Sequence, residues 1–342
     1  MLNRSLLCHY ACSSLAVCSL VMADELRMKN GSVLIGELVS AESDQVVFDT
    51  PFAGKITIAQ SNIERITTDD PVTLLMDDGT VHREKQIIST ETAMLVKTEG
   101  EASALFAAED IEMVNPEPWK LGEGYDWTGK ISIAVEYERG NSDSDDWDIK
   151  ANTSWRSLKD RYTWRTAIEY EESRGEKKTD NWDTLVKYDR FFQYGGRDYW
   201  GGKVIAEHDE FADLDLRTLI GPHIGREFWN GKHLTLEAEF GPVWVAEKFI
   251  EADNDDWLGL LWYVEAKSDM LGFGTTTYVS HDGTLNTSDP SDTLLNATIG
   301  ISFPLVGGFE TALEIELEYD GGAVEDVDQL DETYNLRFGY SW

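Results

Sequence analysis

The sequence predicts an all-β fold: an antiparallel transmembrane β-barrel of about twelve strands, preceded by a small, duplicated, SH3-like all-β domain. Three observations carry that expectation. From residue 127 onward, apolar and polar residues alternate with period two. The connections between the alternating runs are short and long in turn, and aromatic residues gather near the run ends.

At the start of the chain, Arg4 precedes a mostly apolar or small run, Leu6 to Leu20, and Val21-Met22-Ala23 leads into Asp24. This reads as a secretory signal peptide over residues 1–23, too short in its apolar core for a membrane helix. Leu15-Ala16-Val17-Cys18 offers a lipoprotein alternative, although valine is a poor residue before a lipidated cysteine. Cys8, Cys12 and Cys18 all lie within the segment, so the exported chain would carry no cysteine and no disulfide chemistry. The formal net charge of −35 argues against nucleic acid as a partner, because phosphate binding needs basic patches. No later run approaches the length of an apolar membrane helix. With 12 Trp, 13 Tyr and 13 Phe, that fact does not argue for a soluble protein, since barrels also lack such runs.

Residues 24–115 contain a duplication. Leu26-Arg27-Met28-Lys29-Asn30-Gly31-Ser32-Val33 recurs as Leu74-Leu75-Met76-Asp77-Asp78-Gly79-Thr80-Val81, an offset of 48 residues (26 to 74). Ile63-Glu64-Arg65-Ile66 recurs at the same offset as Ile111-Glu112-Met113-Val114, and Val46-Val47-Phe48 matches Met94-Leu95-Val96. Each copy has strand-like runs and an Asn-Gly or Asp-Gly where a hairpin needs positive φ. Two small β modules packed side by side are expected, serving as a periplasmic platform for an unidentified partner. Pro116-Glu117-Pro118 opens a linker, residues 116–126, because two prolines in three residues suit neither helix nor central strand.

Residues 127–342 carry the barrel. Ile131, Ile133, Val135 and Tyr137 interleave with Lys130, Ser132, Ala134 and Glu136, and Leu313, Ile315 and Leu317 interleave with Glu314, Glu316 and Glu318. Strands are expected near 127–139, 146–157, 162–172, 181–192, 198–208, 216–228, 233–249, 257–267, 272–281, 292–304, 309–319 and 332–342. Connections at 158–161, 230–232 and 305–308 are short, and the intervening ones are long and acidic, the two-rim asymmetry of an outer-membrane barrel. Trp155, Tyr162, Trp164, Phe192, Tyr199, Trp200, Phe228 and Trp229 sit beside short turns. Tyr137, Trp147, Tyr170, Trp182, Phe249, Trp257, Tyr319 and Tyr334 sit beside long ones, so two aromatic belts are expected at the membrane interfaces. Pro222 and Pro242 fall inside expected strands and predict bulges. The last run, Tyr334, Leu336, Phe338, Tyr340 and Trp342 alternating with polar or small residues, resembles the C-terminal assembly signal read by the barrel-assembly machinery.

Gly140-Asn141-Ser142-Asp143, Tyr188-Asp189-Arg190-Phe191 and Phe338-Gly339-Tyr340-Ser341-Trp342 together resemble the YdiY-like family, a domain of unknown function whose members carry the label of salt-induced outer-membrane proteins. The resemblance covers about residues 125–342. It implies a barrel fold and an outer-membrane location but no activity.

The residues themselves offer little catalytic chemistry. His82, His208, His223, His233 and His281 show no pair at metal-ligand spacing, and no serine stands in a recognisable motif with any of them. No cofactor is expected, and the chain reads as a non-enzyme. Asp143, Asp145 and Asp146 in one loop, and Asp253, Asp255 and Asp256 in another, are hard-oxygen clusters that suit Ca²⁺ or Mg²⁺ without a calcium motif; a solvated acidic loop is the plainer reading. Glu136, Glu138, Glu169, Glu237, Glu239, Glu314, Glu316 and Glu318 are expected to face the lumen and to outnumber Lys130, Lys150 and Arg337, a balance that favours cations. Three functions follow as expectations: a structural or binding protein in contact with outer-membrane lipid, passing at most small cations; a cation-selective porin; and an outer-membrane hydrolase.

Overall fold

The computed structural model describes residues 23–42, 45–90, 92–97, 104–107, 110–138, 144–193, 195–231, 233–323 and 329–342; of residues 135–138, 144 and 145 only the backbone is described. The expected signal peptide up to Met22, residues 140–143 of the family resemblance, and the side chains of Glu136, Tyr137, Glu138 and Asp145 therefore lie outside the described set. The chain forms two compact units, Met1–Glu117 and Pro118–Trp342.

The first unit holds ten strands: β1 (Asp24–Met28), β2 (Val33–Glu42), β3 (Gln45–Thr50), β4 (Gly54–Ala59), β5 (Ile63–Thr67), β6 (Val72–Met76), β7 (Val81–Ser89), β8 (Ala93–Lys97), β9 (Ala104–Ala107) and β10 (Ile111–Val114). The duplication reaches down to single hydrogen bonds. Asn30 Oδ1 accepts from Ser32 N at 2.9 Å and Asp78 Oδ1 from Thr80 N at 2.8 Å. Gly31 (φ 87°) and Gly79 (φ 81°) hold the left-handed turn position that side chains avoid. The copies are not two modules side by side. Within each copy β1 pairs β2 and β5, and β6 pairs β7 and β10; between copies β5 pairs β7 and β2 pairs β10. The order β1-β5-β7-β6-β10-β2 thus closes on itself, with β3–β4 and β8–β9 as outlying hairpins. Neither copy completes its sheet alone. Leu26, Leu38, Phe48, Leu74 and Ile87 fill the interior. Buried Asp24 accepts from Leu38 N at 2.7 Å and Asp69 N at 2.9 Å, so its charge is met by backbone dipoles.

The second unit is a closed barrel of twelve strands, each antiparallel to the next. They are β11 (Asp126–Glu138), β12 (Ser144–Arg156), β13 (Asp160–Ser173), β14 (Glu176–Phe191), β15 (Asp198–Asp209), β16 (Leu214–Asn230), β17 (Leu234–Phe249), β18 (Asp255–Ser268), β19 (Thr276–Asn286), β20 (Thr293–Pro304), β21 (Phe309–Asp320) and β22 (Leu330–Ser341). Period two in a closed sheet sorts residues into two faces. Ile131, Ile133, Ile299, Leu313, Ile315, Leu336 and Phe338 are exposed outside, whereas Ser132, Glu314, Glu316 and Arg337 are buried within. Closure is brief: β11 and β22 pair only from Lys130↔Ser341 to Ile133↔Phe338, whereas β13 and β14 pair from Asp160↔Arg190 to Ser173↔Glu176. Gly129 and Trp342 add a reciprocal pair of backbone hydrogen bonds at 3.1 and 3.0 Å.

Three expectations are corrected. Tyr199 and Trp257 do not join the aromatic belts; both are buried and point into the barrel. Strand β19 runs over Thr276–Asn286 rather than 272–281. His281-Asp282-Gly283 looks like a turn, but Asp282 accepts from Asn296 Nδ2 at 3.0 Å, and a Cβ on Gly283 would lie 2.2 Å from the Trp262 ring. That glycine seats an aromatic ring instead of turning the chain. Finally, Pro222 and Pro242 cause no bulge. Ile220↔Trp244 and Ile224↔Phe240 keep one register across the interruption, and the shifts fall at Leu214/Leu216 and Glu227/Trp229. The glycine before each proline allows this, since a Cβ at Gly221 or Gly241 would strike the facing proline carbonyl at 2.2 or 2.1 Å.

Candidate functional site: the barrel interior

Inward positions near the short turns carry a dense ionic network. Arg161 on β13 donates to Asp189 Oδ2 at 2.7 Å and to Glu237 Oε2 at 2.9 Å. Lys187 and Lys203 both bond Glu239, the latter at 2.7 Å, and Tyr199 Oη donates to Glu239 at 3.0 Å. His223 Nε2 lies 2.7 Å from Asp189 Oδ1, and Arg156 bonds Glu227. These side chains are buried or nearly so, and buried carboxylates persist as ions only when paired this closely.

A second network lies behind the β11–β22 closure. Fully buried Arg337 bonds Glu314, Asp148 and, at 2.8 Å, Glu316. Lys150 and Asn335 also bond Glu316, Tyr278 bonds Glu314, and Lys130 pairs with Glu310 at 2.5 Å. The expected lumen residues are thus placed as follows. Glu237, Glu239, Glu314 and Glu316 face inward and are held by cations; Glu318 shares their face but is exposed; Glu169 accepts from Asn181 at 3.2 Å. On the other face of β22, Tyr334, Leu336, Phe338, Tyr340 and Trp342 are all exposed.

Among the described residues, two hydrogen bonds join strands five apart in the ring. Arg165 on β13 donates to Tyr263 Oη on β18 at 2.8 Å, and Arg217 on β16 donates to Asp320 on β21 at 2.8 Å. In a ring of twelve, strands five apart lie on nearly opposite walls. Between these contacts the interior holds an apolar cluster of Leu219, Val243, Val245, Trp257 and Leu261, with Ile205 packed against it. Trp257 Nε1 donates to Glu247 at 3.0 Å, which satisfies its one polar atom. The cluster was not anticipated from the sequence. Its trace is the loss of alternation in Val243-Trp244-Val245 and in Leu260-Leu261-Trp262-Tyr263, continuous apolar runs that mark a strand covered on both faces.

Among the described residues, one group of three metal-ligand donors lies within 4.8 Å: Asp189, His223 and Glu239. They come from three strands, so no sequence spacing could announce them. Arg161, Lys187 and Lys203 already surround their carboxylates, and a divalent ion would have to displace an ammonium group. Asp253, Asp255 and Asp256 do not converge on a common point; Asp255 and Asp256 open strand β18. The histidines have other partners: His208 and His281 bond backbone carbonyls at 2.8 Å, and His233 bonds Asp269 at 2.7 Å. His82 packs on Phe106.

A closed antiparallel barrel, apolar outside and ionic within, is the class these features define. The family model described as a protein of unknown function, DUF481, matches residues 131–342, and the chain belongs to that family. No curated protein matches it. Among solved structures the NanC porin is 9% identical, with a TM-score of 0.39 over 63% of this chain and 98% of that one. The outer-membrane channel DcaP of Acinetobacter baumannii is 9% identical, with a TM-score of 0.31 over 94% of each chain. The β domain of the Bordetella autotransporter BrkA is 11% identical, with a TM-score of 0.32 over 64% and 98%. Overlaps this loose carry no argument about function.

Proposed function

We propose that the chain is an outer-membrane barrel with a filled lumen, acting as a structural and binding protein without catalysis. In this reading the long acidic connections face outward and residues 24–115 lie in the periplasm, where they dock an envelope component. The crossing of the lumen carries the reading. Arg165–Tyr263, Arg217–Asp320 and the apolar cluster around Val245 occupy lumen space that a porin would leave to water, which supports a filled interior. The surplus of inward carboxylates means that any residual passage favours cations. The apolar outer face supports membrane insertion, and the alternation from Tyr334 to Trp342 is proposed as the segment that the assembly machinery reads.

Single-channel recording from the mature chain in planar bilayers tests the filled lumen. Wild type should be silent, and Arg165→Ala with Arg217→Ala should open a cation-selective conductance. Steady openings of the wild-type protein would overturn the proposal and favour the porin alternative. Co-fractionation with outer membranes, and faster gel migration unheated than boiled, test the location. Repeating the fractionation across growth salinities tests the salt-linked role that the YdiY-like resemblance implies.

A further inference from the structure

We infer that the outward groove beside the β14–β15 turn binds the headgroup and one acyl chain of an anionic phospholipid from the adjoining leaflet. This rests on the membrane location proposed above. The groove encloses about 620 Å³ on the outer wall of β14–β17. Its walls are Phe192, Ile224, Phe228 and Phe240, all exposed and all apolar, and its rim carries Arg197 and Arg226.

The depth and chemistry of the groove both point to a lipid. Trp200, Phe228 and Trp229 stand at the same strand ends, the level at which amphipathic rings settle between hydrocarbon and headgroups. Arg226 shares the outward face of β16 with Ile224 and Phe228. A guanidinium there is costly in hydrocarbon but tolerated at headgroup depth, where phosphate can meet it. Arg226 lies 3.3 Å from Asp198 and is 54% exposed; Arg197 donates to the Phe228 carbonyl at 3.4 Å and is also exposed. Each guanidinium has five donors, so beside these single partners both keep N–H groups for a phosphate. The lining also holds Asp198, paired with Arg226, and Glu239, whose carboxylate is held inside the barrel by Lys187 and Lys203. In a chain of net charge −35 the two arginines are thus the cationic groups at this apolar groove. An anionic headgroup with its acyl chain laid against Ile224 and Phe240 complements both parts.

Native mass spectrometry of the full mature chain, in micelles doped equally with phosphatidylglycerol and phosphatidylcholine, tests the site. Wild type should retain phosphatidylglycerol preferentially. Arg197→Gln with Arg226→Gln should cut that preference about tenfold. Asp198→Asn should raise it by releasing Arg226, and Lys248→Gln at the opposite rim should leave it unchanged. Equal retention of the two lipids by wild type, or an undiminished preference in the double variant, overturns the site. Each protein is also run unheated and boiled. A wild-type chain without the mobility shift defeats the membrane reading and the site with it, whereas a normal shift with no lipid preference defeats the site alone.

Discussion

In the unit of residues 24–114 the interior is apolar, and Leu26, Phe48 and Leu74 have no exposure at all. In the barrel the same period-two pattern puts Ile131, Leu313 and Phe338 outside, while Arg337, Asp189 and Glu239 take the interior. Both are closed sheets of antiparallel strands. The difference shows that alternation fixes which residues share a face but not which face is dry; the surrounding solvent settles that. It also changes what holds each interior together. Among the described residues the first unit relies on apolar burial with one buried carboxylate, Asp24, pinned by backbone amides, whereas the barrel interior relies on ion pairs such as those around Arg337.

The sharpest way to break this comparison is to remove a charge from the barrel interior. Arg337→Met leaves Asp148, Glu314 and Glu316 without their shared cation and should cost about 3–5 kcal/mol, read as a shift in urea unfolding from lipid vesicles. A neutral outcome would mean that the interior is wetter than its burial implies. A smaller effect comes from placing one substitution on both outer faces. Leu313 (53% exposed) and Val33 (44% exposed) look alike by exposure. Leu313→Arg should nonetheless cost about 2–4 kcal/mol in the bilayer, against no more than about 0.5 kcal/mol for Val33→Arg in water. Equal effects would erase the distinction between the two regions.

The smallest effect concerns a ring turn. The Thr80 hydroxyl and amide hold the Asp78 carboxyl below its ordinary value of 3.8. A folded value lower than the unfolded one contributes stability above the unfolded value, and loses it as pH falls through the folded one. Asp78→Asn should therefore flatten a slight acid dependence of ring stability below about pH 4. An NMR titration of Asp78 giving an unshifted midpoint would remove the basis for that expectation.

How legible these regions were follows from the physics of each. Twelve barrel strands were legible, all but β19 near their expected positions, because alternation and the contrast of short and long turns are local signals. Tyr199 and Trp257 were assigned by nearness to strand ends, and only parity along the strand tells a belt residue from an inward one. Pro222 and Pro242 looked like bulges because the facing Gly221 and Gly241, which let the two backbones approach, belong to different strands. The closure of the two repeats into one ring, and the meeting of Asp189, His223 and Glu239, depend on which strands become neighbours. The pattern within a strand does not encode that. The inward carboxylates could be named from period two, but the contacts that cross the lumen, Arg165 with the Tyr263 hydroxyl and Arg217 with Asp320, could not.

The brevity of the β11–β22 pairing has a mechanical consequence. A hoop yields at its joint, and here the joint is held by Lys130–Ile133 against Phe338–Ser341, with Trp342 seated on Gly129. Circumferential strain would concentrate on these few bonds, so under load this seam is expected to part before the longer-paired strands do.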